Sequence, residues 1–175
     1  MNKPHLDRIL FLDIDGVILP ENYLMSDVNR ALFDDFQKNR LLHRIAYQLT
    51  FDPQCMSYLK QIIQRTQCKL VVISTWRRLM SSEIIDLLID TKEFDPAWFH
   101  DVPVCELRMT SEKCHDISSW IGYEYDENKV YDYLILDDDH RISSGDNEFS
   151  ERHIIPAYET GLTEVEFNAI LKKWR

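Results

Sequence analysis

Two aspartates one residue apart, Asp13 and Asp15, close the apolar run RILFL at residues 8–12 and are followed by Gly16. Far along the chain a second apolar run, YLIL, ends in Asp137, Asp138 and Asp139. A third, KLVVI, ends in Ser74 and Thr75, and Lys113 stands near the start of a helical stretch that precedes YLIL. A carboxylate at the mouth of a core is costly unless it is paired or binds a cation. Three carboxylates brought together repel by about 4 kcal/mol per pair at about 4 Å and an effective dielectric of about 20. A divalent cation removes that repulsion. Donors that are all oxygen select a hard ion, and Mg²⁺ suits a site with few protein ligands because it keeps several of its waters.

The elements that must position these residues are short apolar strands. RILFLD (8–13), KLVVIS (69–74), YLILD (133–137) and RHIIP (152–156) read as buried parallel strands. DVPVCEL (101–107) is a weaker strand whose proline suits a sheet edge. Helical patterns lie between them. Asp52-Pro53 places a cap before a first-turn proline, ahead of Met56, Leu59, Ile62 and Ile63 at helical spacing. SSEIIDLLID and SEKCHDISSWIG follow, the latter stopping at Gly122, and Thr163 with Glu166 forms a capping box for the last helix. Alternating strands and helices predict an α/β domain with a mainly parallel sheet. In such sheets ligands bind beyond the carboxyl ends of the strands, where the reactive residues collect. Residues 19–50 break the alternation and predict a small helical insert after the first strand, a flap or small cap beside the site. Tyr23, Arg30 and Tyr47 are its candidates for contact with a substrate.

Bulk properties narrow the partners. The chain has 175 residues, enough for a single domain over 1–175, and a net charge of −10. With a pI of about 5.0, nucleic acid and anionic membrane are disfavoured as partners. The N-terminus MNKPHLDR has no apolar signal region, and no run approaches a membrane span. Four cysteines without a CxxC pair predict reduced thiols and a cytoplasmic location. Cys114-His115 has no third ligand nearby in the sequence, and the six histidines show no ligand spacing.

FLDIDGVI, LVVIS, Lys113 and YLILDD, in that order, resemble the four motifs of the haloacid dehalogenase (HAD) superfamily. The STWR stretch and the Gly-Leu-Thr near the C-terminus resemble the small HAD proteins described as Swiss-army-knife RNA-repair-like. The resemblance implies a HAD-like Rossmannoid fold, three layers of α/β/α, and an Mg²⁺-dependent phosphatase acting on a small phosphorylated substrate. Asp13 is then the nucleophile that takes the phosphoryl group, and Asp15 the general acid and base. Asp13, the main-chain carbonyl of Asp15 and Asp138 hold the metal, with Asp137 supporting them. Ser74 and the Thr75 amide bind phosphoryl oxygens, and Lys113 offsets negative charge, with Lys129 as the alternative lysine. Arg77 is a candidate contact for a substrate phosphate.

Three other readings compete. A phosphatase for nucleic-acid ends follows from the narrower resemblance. A catalytically silent HAD-fold binding or regulatory module keeps the fold without the reaction. A response-regulator receiver domain also sets acids, Ser/Thr and Lys on a parallel sheet, but its phosphoacceptor ends a middle strand of the sequence and Asp13 ends the first.

Overall fold

Alternation along the strands sets the architecture. The computed structural model describes residues 6–39, 45–78, 83–106, 112–123, 130–144 and 148–175. Its sheet comprises β1 (Leu6–Leu12), β2 (Lys69–Val72), β3 (Phe99–Val104), β4 (Val130–Leu136) and β5 (His153–Ile154), in the order β3-β2-β1-β4-β5. Neighbouring strands pair in parallel throughout. Leu10, Leu12, Leu70, Val72, Leu134 and Leu136 face one core; Ile9, Phe11, Val71, Ile73, Tyr133 and Ile135 face the other. A strand buried on both faces has no polar side, and its sequence reads as an unbroken apolar run.

The helices are α1 (Glu21–Leu24), α2 (Arg30–Asn39), α3 (Pro53–Thr66), α4 (Ile84–Lys92), α5 (Lys113–Tyr123) and α6 (Glu164–Lys173). Leu59 of α3, Leu88 of α4 and Ile170 of α6 join the first core, and Ile117 and Trp120 of α5 the second. This is the expected three-layer α/β arrangement with a parallel sheet. The helix starts follow the sequence signals. Asp52 accepts from the amides of Gln54 and Cys55 ahead of Pro53, and both bonds of the Thr163–Glu166 capping box are made.

The edges differ from the expectation in extent. β3 is an edge strand, as Pro103 suggests, and its register against β2 shifts between Leu70 and Val72. β5 has two residues instead of the five expected over 152–156. It pairs on one side only, and Pro156 has no N–H to extend the ladder.

Residues 19–50 form no continuous helix. They give α1, α2 and a turn that includes Ile45, Ala46 and Leu49, all three buried in the first core; residues 40–44 lie outside the described residues. The excursion closes at its base. Buried Asn29 donates from Nδ2 to the Thr50 carbonyl and accepts the Thr50 N–H at Oδ1, each at 2.9 Å. Lys92 adds a second tie, donating to the carbonyls of Tyr47 and Leu49. The four cysteines are free thiols, and burial raises the pKa of Cys55, Cys68 and Cys105. Among the described residues no helix is long and apolar enough to cross a membrane.

Asn29→Ala leaves the Thr50 N–H and C=O without these partners, and we expect it to destabilise the protein by about 1–3 kcal/mol in urea unfolding followed by far-UV circular dichroism. A change below about 0.5 kcal/mol, the size of an ordinary surface substitution, would show that the clamp does not close the segment.

Candidate active site

Strand register brings the acids together. Leu12 pairs with Leu136 on one side and Val72 on the other. The next residues therefore meet: Asp13 lies beside Asp137 and beside Ile73, and Ser74 follows. The Asp13 N–H donates to the Leu136 carbonyl at 3.0 Å, and the Ile73 N–H to the Leu12 carbonyl at 2.9 Å. The chain winds from β1 outward through β2 and β3, then returns to the other side of β1 for β4. The crevice between β1 and β4 is thus a topological switch point, where open α/β sheets bind ligands.

Lys113, the first residue of α5, reaches into this crevice. Its Nζ donates to Asp13 Oδ2 at 2.6 Å and to Asp137 Oδ2 at 2.7 Å. Burial alone would lower its pKa; Asp13 and Asp137 outweigh burial, and the net direction is up. Burial and then Asp13 push Asp137 up, against the pull of Lys113. The other Asp137 oxygen, Oδ1, accepts the Asp139 N–H at 2.9 Å. Both Asp137 oxygens are therefore engaged, whereas Asp13 Oδ1 is buried without a hydrogen-bond partner. Asp138 is half-buried, and burial followed by Asp13 raises its pKa.

Ligand oxygens of Asp13, Asp137 and Asp138 lie within 4.8 Å of one another. The donor set fits a hard divalent cation. The Asp13 and Asp138 carboxylates could hold it, and Asp137, whose oxygens are both engaged, would support them. The Asp15 carboxylate lies outside this cluster, which does not bear on its main-chain carbonyl. Its Oδ2 accepts from the indole Nε1 of buried Trp76 at 2.9 Å. Burial, then Asp13, raises the Asp15 pKa from 3.8 to about 7. Gly16 has φ +69°, and a Cβ there would stand 2.6 Å from Asp138 Cγ and 2.8 Å from Tyr158 Cδ2. Only glycine fits both the turn and the contact.

An open cavity of about 1020 Å³ adjoins this centre, lined in part by Thr75, Arg78, Lys113, Asp138, His140 and Arg141. Its described lining includes no residue of 19–50. Ser74 is buried beneath it; its Oγ accepts the Trp76 N–H at 3.3 Å, which leaves the hydroxyl hydrogen to donate. Lys113 is the lysine that meets Asp13; Lys129 falls outside the described residues.

Arg77, which the sequence leaves open between packing and contact with a substrate phosphate, is buried and donates to Asp116 Oδ2 at 2.5 Å and to the Ser74 carbonyl at 3.2 Å, which corrects its candidacy as a phosphate contact. Residues 75–78 form a 3₁₀ turn, which rotates successive side chains by about a third of a circle, so Arg78 faces the cavity and Arg77 the interior. Glu112 is a second correction: it stands beside Cys114 and His115, with ligand atoms within 4.8 Å of one another. Glu112 and His115 are largely exposed, unlike the buried Asp13 cluster.

Two further residues were not read from the sequence. His153 contacts the Asp137 carbonyl through Nε2 and the Ser143 hydroxyl through Nδ1, each at 2.8 Å. Burial lowers its pKa, and a carbonyl only accepts, so the neutral ring carries its hydrogen on Nε2. Tyr158 lies against Gly16 at the mouth of the site, and its carbonyl accepts the Glu21 N–H of α1. Neither residue belongs to a local pattern; only a three-dimensional neighbourhood reveals them.

Residues 9–167 match the family described as the HAD domain in Swiss Army Knife RNA repair proteins, and the chain belongs to that family. It is a HAD-type hydrolase domain. Searches of the curated proteins and of the solved structures find no match.

Arg77→Met leaves the Asp116 carboxylate buried without its cation, and a loss of about 3–5 kcal/mol in urea unfolding is expected. Arg77→Met combined with Asp116→Leu removes both charges and should recover most of that loss. A single variant as stable as the wild type would return Arg77 to the substrate side.

Proposed function

We propose that the protein is an Mg²⁺-dependent phosphatase that hydrolyses a phosphate monoester through an aspartyl-phosphate intermediate. The observation that carries this reading is the state of Asp13. One oxygen is held by Lys113, the other is buried and unpartnered, and the carboxyl group lies within reach of a cation shared with Asp138. A structural aspartate at a strand end would have both oxygens satisfied.

In the first step an Asp13 oxygen attacks phosphorus and the bond to the ester oxygen breaks. That oxygen takes a proton from Asp15. In the second step water attacks the aspartyl phosphate, its proton goes to Asp15, and the Asp13–phosphorus bond breaks to release phosphate. Two easier displacements replace one difficult one. An Asp15 raised to about 7 suits a group that gives and then takes a proton near neutral pH. Lys113 and the Ser74 hydroxyl offset charge on the phosphoryl oxygens. Mg²⁺, held by Asp13 and Asp138, would neutralise the charge that Lys113 alone cannot.

Substrate choice falls to the rim. α1 holds the carbonyls of Tyr158 and Glu159 on its first amides, so the 19–50 insert acts on the site through Tyr158. Small phosphorylated substrates enter an open cavity of this kind freely. A second reading, a phosphatase for nucleic-acid ends, is favoured by the family description and by Arg78, His140 and Arg141 on the cavity wall. Free cysteines support a reducing, cytoplasmic setting.

Asp13→Asn should remain folded and lose hydrolysis of an aryl phosphate to background, because an amide cannot take the phosphoryl group. Retained turnover removes Asp13 from its role. A panel of phosphorylated metabolites and of oligonucleotides with 5′- or 3′-phosphates separates the two substrate readings.

Mg²⁺ should also raise the melting temperature of the wild-type protein, with about 2.7 kcal/mol of stabilisation at a hundredfold excess over Kd. Asp138→Ala should lose that shift, and EDTA should abolish activity until Mg²⁺ is restored. Full turnover in EDTA would sink the shared-cation argument.

A further inference from the structure

We infer that Trp76 is a positioning residue for Asp15: its indole N–H fixes Asp15 Oδ2 as the carbonyl oxygen of the acid form and so makes Oδ1 the oxygen that delivers the proton. The inference rests on the phosphatase reading and deepens it. An indole N–H donates and never accepts. It therefore holds Oδ2 as an acceptor in both protonation states of Asp15, at 2.9 Å. The better acceptor of a protonated carboxyl is its carbonyl oxygen, so the hydrogen sits on Oδ1. During the first step that hydrogen passes from Oδ1 to the ester oxygen as the phosphorus–oxygen bond breaks; the attacking water returns one to Oδ1 in the second.

The indole is itself fixed. Trp76 is 1% exposed, and its ring lies 6.0 Å from that of Phe51. Its backbone N–H donates to Ser74 Oγ, and the next residue, Arg77, binds Asp116 on α5. The turn at Thr75–Arg78 thus connects the phosphoryl-binding serine, the acid and the helix that carries Lys113. Without the indole bond the Asp15 carboxyl can rotate, and the neighbouring Lys113 ammonium offers it a competing partner. Rotation of this kind removes proton delivery while leaving the nucleophile untouched.

Trp76→Phe keeps a buried ring and removes the donor. We would measure kcat/KM on an alkyl phosphate and on aryl phosphates of increasingly acidic phenols, for Trp76→Phe, Asp15→Asn and the double variant. The alkyl ester should lose about 10–100-fold, within the range of general acid catalysis, and the most acidic phenol, which departs without a proton, less than about threefold. Added to Asp15→Asn, the substitution should cost nothing further on the alkyl ester, since both act through one group. An equal loss on every ester, a loss additive with Asp15→Asn, or no loss overturns the inference. A wild-type protein inactive on every ester overturns the phosphatase reading instead. Should Trp76→Phe not fold, the wild type with ¹⁵N-labelled indoles reports the bond. One of the signals from its four tryptophans should move upfield in Asp15→Ala, and four unmoved signals overturn the inference.

Discussion

One ammonium between two buried carboxylates organises the molecule. Lys113 sits 2.6 Å from Asp13 and 2.7 Å from Asp137, at the ends of the two strands that flank the switch point. Without it the parallel register of β1 and β4 would set like charges side by side in a medium of low dielectric. The lysine can serve there only if α5 begins at that point, and α5 is fixed one turn later by the buried Asp116–Arg77 pair. Sheet register, helix placement and the turn after β2 are therefore parts of one electrostatic arrangement. It stays incomplete: Asp13, Asp15, Asp137 and Asp138 bring four carboxyl groups close to the Lys113 ammonium. The residual negative charge is what the proposed cation would neutralise.

How far this was legible in the sequence follows the reach of each interaction. β1, β2 and β4 announce themselves because burial on both faces leaves a local apolar run. The acids are legible because they interrupt that run at its end. Asp52-Pro53 and Thr163–Glu166 are legible because a cap acts within one helical turn. The Trp76–Asp15 bond spans 61 residues and the Arg77–Asp116 pair 39, and no local pattern encodes either. Arg77 and Arg78 are indistinguishable as neighbours in a sequence; the 3₁₀ turn alone decides which is buried. The insert was legible as a break in alternation but not in its attachment, because Asn29 and Thr50 form a clamp only when the chain returns to the same place.

That attachment ties the excursion to the core. The Asn29–Thr50 bonds and the two from Lys92 hold the base of the excursion, while Ile45, Ala46 and Leu49 anchor its returning limb in the core. Between them, α2 makes a detour that a closed base tolerates at small entropic cost, since lengthening a closed loop costs little once its ends are fixed. The detour is thus attached at its base and by its returning limb, apart from the strand ends that carry Asp13, Ser74 and Asp137.

The loop after β1 shows why the strand ends can be trusted to hold their geometry. The Ile14 carbonyl receives the amides of Val17, Ile18 and Leu19, and the Gly16 amide donates to the Leu19 carbonyl. Two glycines at positive φ let other segments close on this loop. At Gly16 the Asp138 carboxylate approaches, and at Gly161 a Cβ would stand 2.5 Å from the Val17 carbonyl, which accepts the Leu162 N–H. The loop is thus held from the Asp138 side and from the C-terminal segment at once. Phosphoryl transfer depends on groups already in place when charge develops, since reorganising them during the reaction would cost part of the rate. On the phosphatase reading proposed above, Asp13 at the strand end, Asp15 on its indole tether and Asp138 against Gly16 would meet that condition, the last through a contact too close for any side chain but hydrogen. Tyr158 packs half-exposed against the same glycine, the outermost of these contacts.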